Sequence, residues 1–129
     1  MTNLELIKKG YQLFAEGNVE AFIAPWHPDM VWSECKGFPY VEGDGVYVGA
    51  KAILEGVFAK IPEWFDGFDI EVSDFVDGGE KIVMVGYYIG TWKPTGKKFK
   101  ANATHTWTVK EGKITHFFQA VDSAEIVNP

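Results

Sequence analysis

The chain is 129 residues long, 47% hydrophobic and 16% aromatic, and carries a formal net charge of -6. That length suits one domain, residues 1–129, able to bury a core without a disulfide or structural metal, and the aromatic share suggests rings that do more than fill a small core. The negative charge argues against a nucleic-acid partner, since phosphate binding draws on clustered Lys and Arg, and the one basic cluster, Lys97, Lys98 and Lys100, reads as a solvated strand edge.

Cys35 is the single cysteine, which permits no internal disulfide and no thiolate-rich metal site, so the reducing cytoplasm is the expected location. The start, MTNLELIKKG, lacks an apolar signal core, and no segment reaches the ~20 apolar residues of a membrane span, so no membrane partner is expected.

Thr2 and Glu5 form a capping-box pattern, and Leu4, Ile7, Tyr11 and Phe14 recur at helical spacing until Gly17, which predicts a helix over 3–16. Asn18 caps a second, short helix over 19–24, ended by Pro25 and Pro28. Residues 30–35 alternate as a short strand with Met30, Trp32 and Glu34 on one face. The stretch 36–48 mixes Gly and Pro with aromatics, as a flap over a pocket would. A third helix is expected over 50–60, ending at Pro62.

The remainder alternates with period two between tight turns at Asp77-Gly78-Gly79, Pro94-Thr95-Gly96 and Glu111-Gly112. Four strands on three short turns must form an antiparallel meander, because parallel neighbours need a crossover of a dozen or more residues. Helices in the first half and strands in the second make the fold class α+β.

Candidate chemistry concentrates in ATHTWTVKEGKITHFFQAVD, residues 103–122. Ala101, Ala103, His105, Trp107 and Val109 share the apolar face of one strand, where two alanines leave room beside a histidine, the pattern of a binding pocket. Asp122 ends the next strand beside apolar residues, where desolvation can raise a carboxyl into the range of a general acid or base; the alternative is a cap for the turn 124–127. His105 is either a donor to substrate or a hydrogen-bonded wall residue. Both faces of 114–122 are partly apolar, which implies a β-bulge near 116–118 and leaves open whether Phe118 or Gln119 points inward; His116 is expected outside. Trp32, Glu34, Tyr88 and Phe118 complete the candidate pocket, with Glu34 placed to orient His105 and Tyr87 assigned to the core. No phosphate loop, nucleophile elbow or local metal-ligand spacing is present, so no metal and no cofactor are expected.

The helical first third, the Val31-Trp32 strand entry, the Gly45-Val46-Tyr47-Val48-Gly49 turn and the pair HTWTVKEGKITHFFQAVD together resemble the SnoaL-like, ketosteroid isomerase-related proteins of the NTF2-like superfamily. The resemblance implies a cone, an α+β barrel in which a curved sheet wraps around helices and leaves a hydrophobic pocket, and it implies a homodimer paired through the outer sheet face. It also implies an acid/base role for Asp122, as in the polyketide cyclases of the family, with His105 as a pocket histidine. The expected function is cofactor-independent proton abstraction next to a carbonyl on a small apolar substrate, of isomerase, cyclase or lyase type. The alternative is a non-catalytic module that binds an apolar ligand or pairs as a dimer.

Overall fold

The computed structural model describes residues 1–129. Helix α1 (Asn3–Ala15) begins with the capping box: the Thr2 hydroxyl accepts from the Glu5 amide while the Glu5 carboxylate accepts from the Thr2 amide. Its one fully buried residue is Ile7, and Leu4, Tyr11 and Phe14 pack beside it. After Gly17 (φ 74°), Asn18 caps α2 (Val19–Ile23) by accepting from the Ala21 amide.

Strand β1 (Trp26–Ser33) starts four residues earlier than the alternation suggests and takes in Pro28. A proline has no ladder donor, and the register of β1 against its neighbour shifts between Trp26 and Val31, around it. The Gly45–Gly49 turn carries a short strand, β2 (Val46–Val48), antiparallel to β1.

The expected third helix divides. Helix α3 (Ala50–Gly56) stops at Val57, whose φ is -117°; a 3-10 turn, Phe58–Lys60, follows; and α4 (Ile61–Trp64) holds Pro62 in its first turn rather than ending there. Proline suits the first turn of a helix because its missing N–H has no partner there in any case. Gly56 lies flat against the Tyr47 ring, where a Cβ would fall 2.4 Å from a ring carbon.

Strands β3 (Phe65–Gly78), β4 (Lys81–Trp92), β5 (Lys97–Lys110) and β6 (Lys113–Val121) form the predicted meander, and the short α5 (Ala124–Val127) closes the chain. The sheet order is β2-β1-β6-β5-β4-β3, with β1 parallel to β6. The sheet curves around the helices without closing, so the architecture is α+β of NTF2-like form. No helix is long and apolar enough to cross a membrane.

Two apolar clusters fill the inner face. One joins Ile7, Phe22, Trp26, Trp32, Ile53, Trp107 and Phe117; the other joins Phe38, Phe65, Tyr88, Trp92, Phe99, Ala101, Ala103 and Ile126. The two alanines therefore make room for core packing that includes Ile126 of α5, rather than for open space. Tyr87 is not core: it lies on the outer face, half-buried, with the Lys100 ammonium 4.5 Å from its ring centre.

The register against β6 resolves the ambiguity of the last strand. Thr108 pairs with His116 and Val109 with Ile114, so Thr115 is the extra residue of a bulge. The alternation changes phase there: Ile114 is inward before the bulge, and Phe117 and Gln119 are inward after it. His116 is exposed, as expected. Phe118, predicted to line the pocket, projects outward and is 47% exposed.

Candidate functional site

A cavity lies between the two clusters and takes its wall from both: Phe22, Trp32, Trp107 and Phe117 on one side, Phe38 and Tyr88 on the other. It offers about 50 Å³ to the centres of water molecules, enough for roughly four waters. The flap anticipated in 36–48 contributes Phe38 and Tyr40. Tyr40 holds φ at 59°, a left-handed conformation that bulky residues rarely adopt and that tends to gather at functional sites.

The polar groups of the cavity come from α1, the end of β1 and three neighbouring strands. His105 of β5 is 3% exposed and is held at both ring nitrogens. The Tyr11 hydroxyl lies 2.5 Å from Nδ1 and the Tyr88 hydroxyl 2.5 Å from Nε2. Tyr88 also reaches Gln119 Oε1 at 2.5 Å, and Trp107 Nε1 donates to the Tyr11 hydroxyl at 2.8 Å. Burial pushes the His105 imidazole down to about 3, so the ring is neutral over the ordinary pH range. Burial raises the Tyr11 and Tyr88 phenols, which stay protonated.

Glu34 follows β1 and is 5% exposed. Its Oε1 accepts from Trp32 Nε1 at 3.0 Å, while Oε2 has no partner. Burial raises its carboxyl to about 7, the bond from Trp32 offsetting part of the effect. Gln119 Nε2 is likewise buried without a partner. Ser33 pairs with Phe118 in the parallel β1–β6 ladder, and the next residue along each chain is Glu34 and Gln119. Two residues that line one aromatic cavity thus each carry a buried polar atom without a partner, a carboxyl oxygen and an amide NH2.

The structure places His105, Tyr88, Trp32 and Glu34 together around the cavity. It does not bring Asp122 there. Asp122 is exposed beyond the end of β6, its amide donating to the Asn102 carbonyl at 3.0 Å. Nor does it cap α5, whose N-cap is Ser123 with no side-chain capping bond. The reason is phase and length: inward positions after the bulge are Phe117, Gln119 and Val121, and the strand ends before Asp122. Glu34 does not orient His105 either, since it bonds Trp32 while two tyrosines hold the ring.

Tyr11 and Gln119 are the site residues that sequence reasoning missed or left open. Tyr11 sits in the apolar stripe of α1 like a core residue, and its signal is the hydroxyl itself, which must find a partner when buried. A curved sheet laid over helices with a polar-tipped aromatic cavity between them is the NTF2-like arrangement. The chain belongs to the family of the SnoaL-like domain, whose model matches residues 7–117. Among solved structures it is similar to an NTF2-like protein from Burkholderia thailandensis, with 32% identity over 97% of this chain and 94% of that one and a TM-score of 0.90. It shares its fold with TerC co-crystallised with polyporic acid, at 24% identity over 95% and 92% of the two chains and a TM-score of 0.82. A protein of ketosteroid isomerase-like fold from Catenulispora acidiphila, in complex with trimethylamine, follows at 13% identity over 98% and 91% and a TM-score of 0.76. No curated protein matches the chain.

Proposed function

We propose that this protein binds a small, largely apolar carbonyl compound in the cavity and moves a proton from the carbon next to the carbonyl, as a cofactor-independent isomerase or cyclase does. The observation that carries the reading is Glu34, a buried carboxyl with one oxygen free in an aromatic cavity and an affinity for protons poised near neutrality. Glu34 takes the base role that the sequence assigned to Asp122. Gln119 Nε2 supplies the hydrogen bond to the developing enolate oxygen, a role His105 cannot fill while both its nitrogens are engaged. His105 and Tyr88 position Gln119, and Trp32 and Phe38 exclude water. The reading includes pairing of two copies through the outer sheet face, where Val85 and Phe118 are exposed beside Asn102 and Thr104.

The test is deuterium exchange into single-ring ketones in D2O, followed by loss of the α-proton signal in NMR. Protein-dependent exchange should rise as pH passes about 7, because the carboxylate is the base. It should fall about 100-fold or more in Glu34→Gln, the usual contribution of a general base, and persist in Asp122→Asn. Binding without exchange across the panel would favour a non-catalytic ligand carrier, and exchange lost only in Asp122→Asn would return the base role to that residue.

A further inference from the structure

The hydrogen-bonded chain Trp107–Tyr11–His105–Tyr88–Gln119 spans the cavity wall, and its protons can be placed by counting. An indole N–H only donates, so Trp107 fixes the first step. Tyr11 accepts from it, and the Tyr11 proton has only His105 Nδ1 to go to. The neutral imidazole then carries its single proton on Nε2 and donates to Tyr88, whose own proton goes to Gln119 Oε1. From Trp107 to Tyr88 each donor is used once, and the amide is left with its oxygen committed and its NH2 unpartnered.

We propose that the Trp107 indole sets the direction of this chain, and that the resulting donor at Gln119 beside the free acceptor at Glu34 selects a one-ring ligand with a carbonyl next to a hydroxyl, the enol form of a cyclic 1,2-diketone. The carbonyl accepts from Gln119 Nε2. The neighbouring hydroxyl shares its proton with Glu34 Oε2. The cavity volume, about 50 Å³ for water centres, leaves no room for a ligand larger than one ring. This ligand class rests on the proposed proton transfer and gives it a balanced form. The Glu34 carboxylate takes the proton from the carbon beside the second carbonyl, the C–H pair becomes the C=C bond of the enol, the carbonyl π pair moves onto the oxygen, to which the second N–H of Gln119 Nε2 donates as the charge develops, and the carboxyl returns the proton to that oxygen; nothing is oxidised. Trp107 acts through four other groups and is a positioning residue.

Two measurements test the proposal. In 15N NMR the wild-type His105 should show a protonated Nε2 and a bare Nδ1, and Trp107→Phe, which keeps an aromatic ring but removes the donor, should let the Nδ1–H form appear. Tropolone, a stable mimic of the enol, should bind the wild type at least about tenfold more tightly than tropone, which lacks the hydroxyl, or phenol, which lacks the carbonyl, one hydrogen bond being worth about that factor. Trp107→Phe should lose most of that preference. An Nδ1–H wild type, an unchanged tautomer in Trp107→Phe, or equal binding of the three probes overturns the proposal. Tropolone selectivity without enolisation of 1,2-cyclohexanedione would sustain the ligand class and remove the catalytic reading alone.

Discussion

Replacing Glu34 with Gln should make the protein more stable at pH 8, although it removes a residue bonded to Trp32. Glu34 is 5% exposed, and burial raises its carboxyl from the usual 4.5 to about 7. Between those values the folded chain holds a proton that the unfolded chain has released, so stability falls as pH rises through about 7 and is fully present below 4.5. The separation of 2.5 pH units corresponds to about 3 kcal/mol. At pH 4.5 Gln and the protonated Glu are near isosteres, and each keeps an oxygen for the Trp32 indole, so the two proteins should be about equally stable. At pH 8 the variant should lead by up to about 3 kcal/mol. His105 works in the opposite sense: burial lowers it from 6.5 to about 3, so the unfolded chain gains the proton first and stability is lost as pH falls below 6.5. The two slopes oppose one another from about pH 4.5 to 6.5 in the wild type, and Glu34→Gln should uncover an acid loss of about 1.4 kcal/mol per pH unit there. Urea unfolding of both proteins at half-unit steps from pH 4.5 to 8 provides the curves. A difference that stays constant over that range would refute the desolvated carboxyl and the base role built on it.

Gly86→Ala should cost about 2 kcal/mol or more, because its Cβ would fall 2.1 Å from the Glu71 carbonyl on β3, and overpacking against backbone has no flexible neighbour to yield; the midpoint of urea denaturation reads the loss. Glu111→Asn should stabilise by about 0.5–1 kcal/mol, since Glu111 and Gly112 both hold positive φ in the β5–β6 hairpin and Asn tolerates that conformation better than Glu; thermal unfolding checks the sign. Phe118→Glu places charge on the outer sheet face and should shift sedimentation from dimer toward monomer; a wild type that sediments as a monomer refutes the pairing.

Much of the fold was legible because it rests on local rules. The capping box of α1, the glycine turns and the period-two runs of β3 to β6 each specify their own geometry within a few residues. What escaped was non-local. The parallel pairing of β1 with β6 joins segments about 85 residues apart, and no local pattern encodes it. That pairing gave Pro28 a place in a strand, and it aligns the chain so that Glu34 follows Ser33 as Gln119 follows Phe118.

The site was half legible for a related reason. His105, Trp32 and Tyr88 lie on strands, and Glu34 directly after one, whose alternation runs unbroken to the cavity, so counting by two found them. The same counting carried across Thr115, where one unpaired residue reverses every later side chain, put Phe118 inside, and Asp122 entered as the end of a strand that stops one residue short of it. The bulge therefore decides the chemistry as well as the shape. Without it, an aromatic ring would occupy the position beside Tyr88, and the chain of hydrogen bonds from Trp107 would end at a phenol with no acceptor. With it, Gln119 accepts from the Tyr88 hydroxyl and lines the cavity that Glu34 also lines, so a single inserted residue in β6 couples the curvature of the sheet to the polarity of the site.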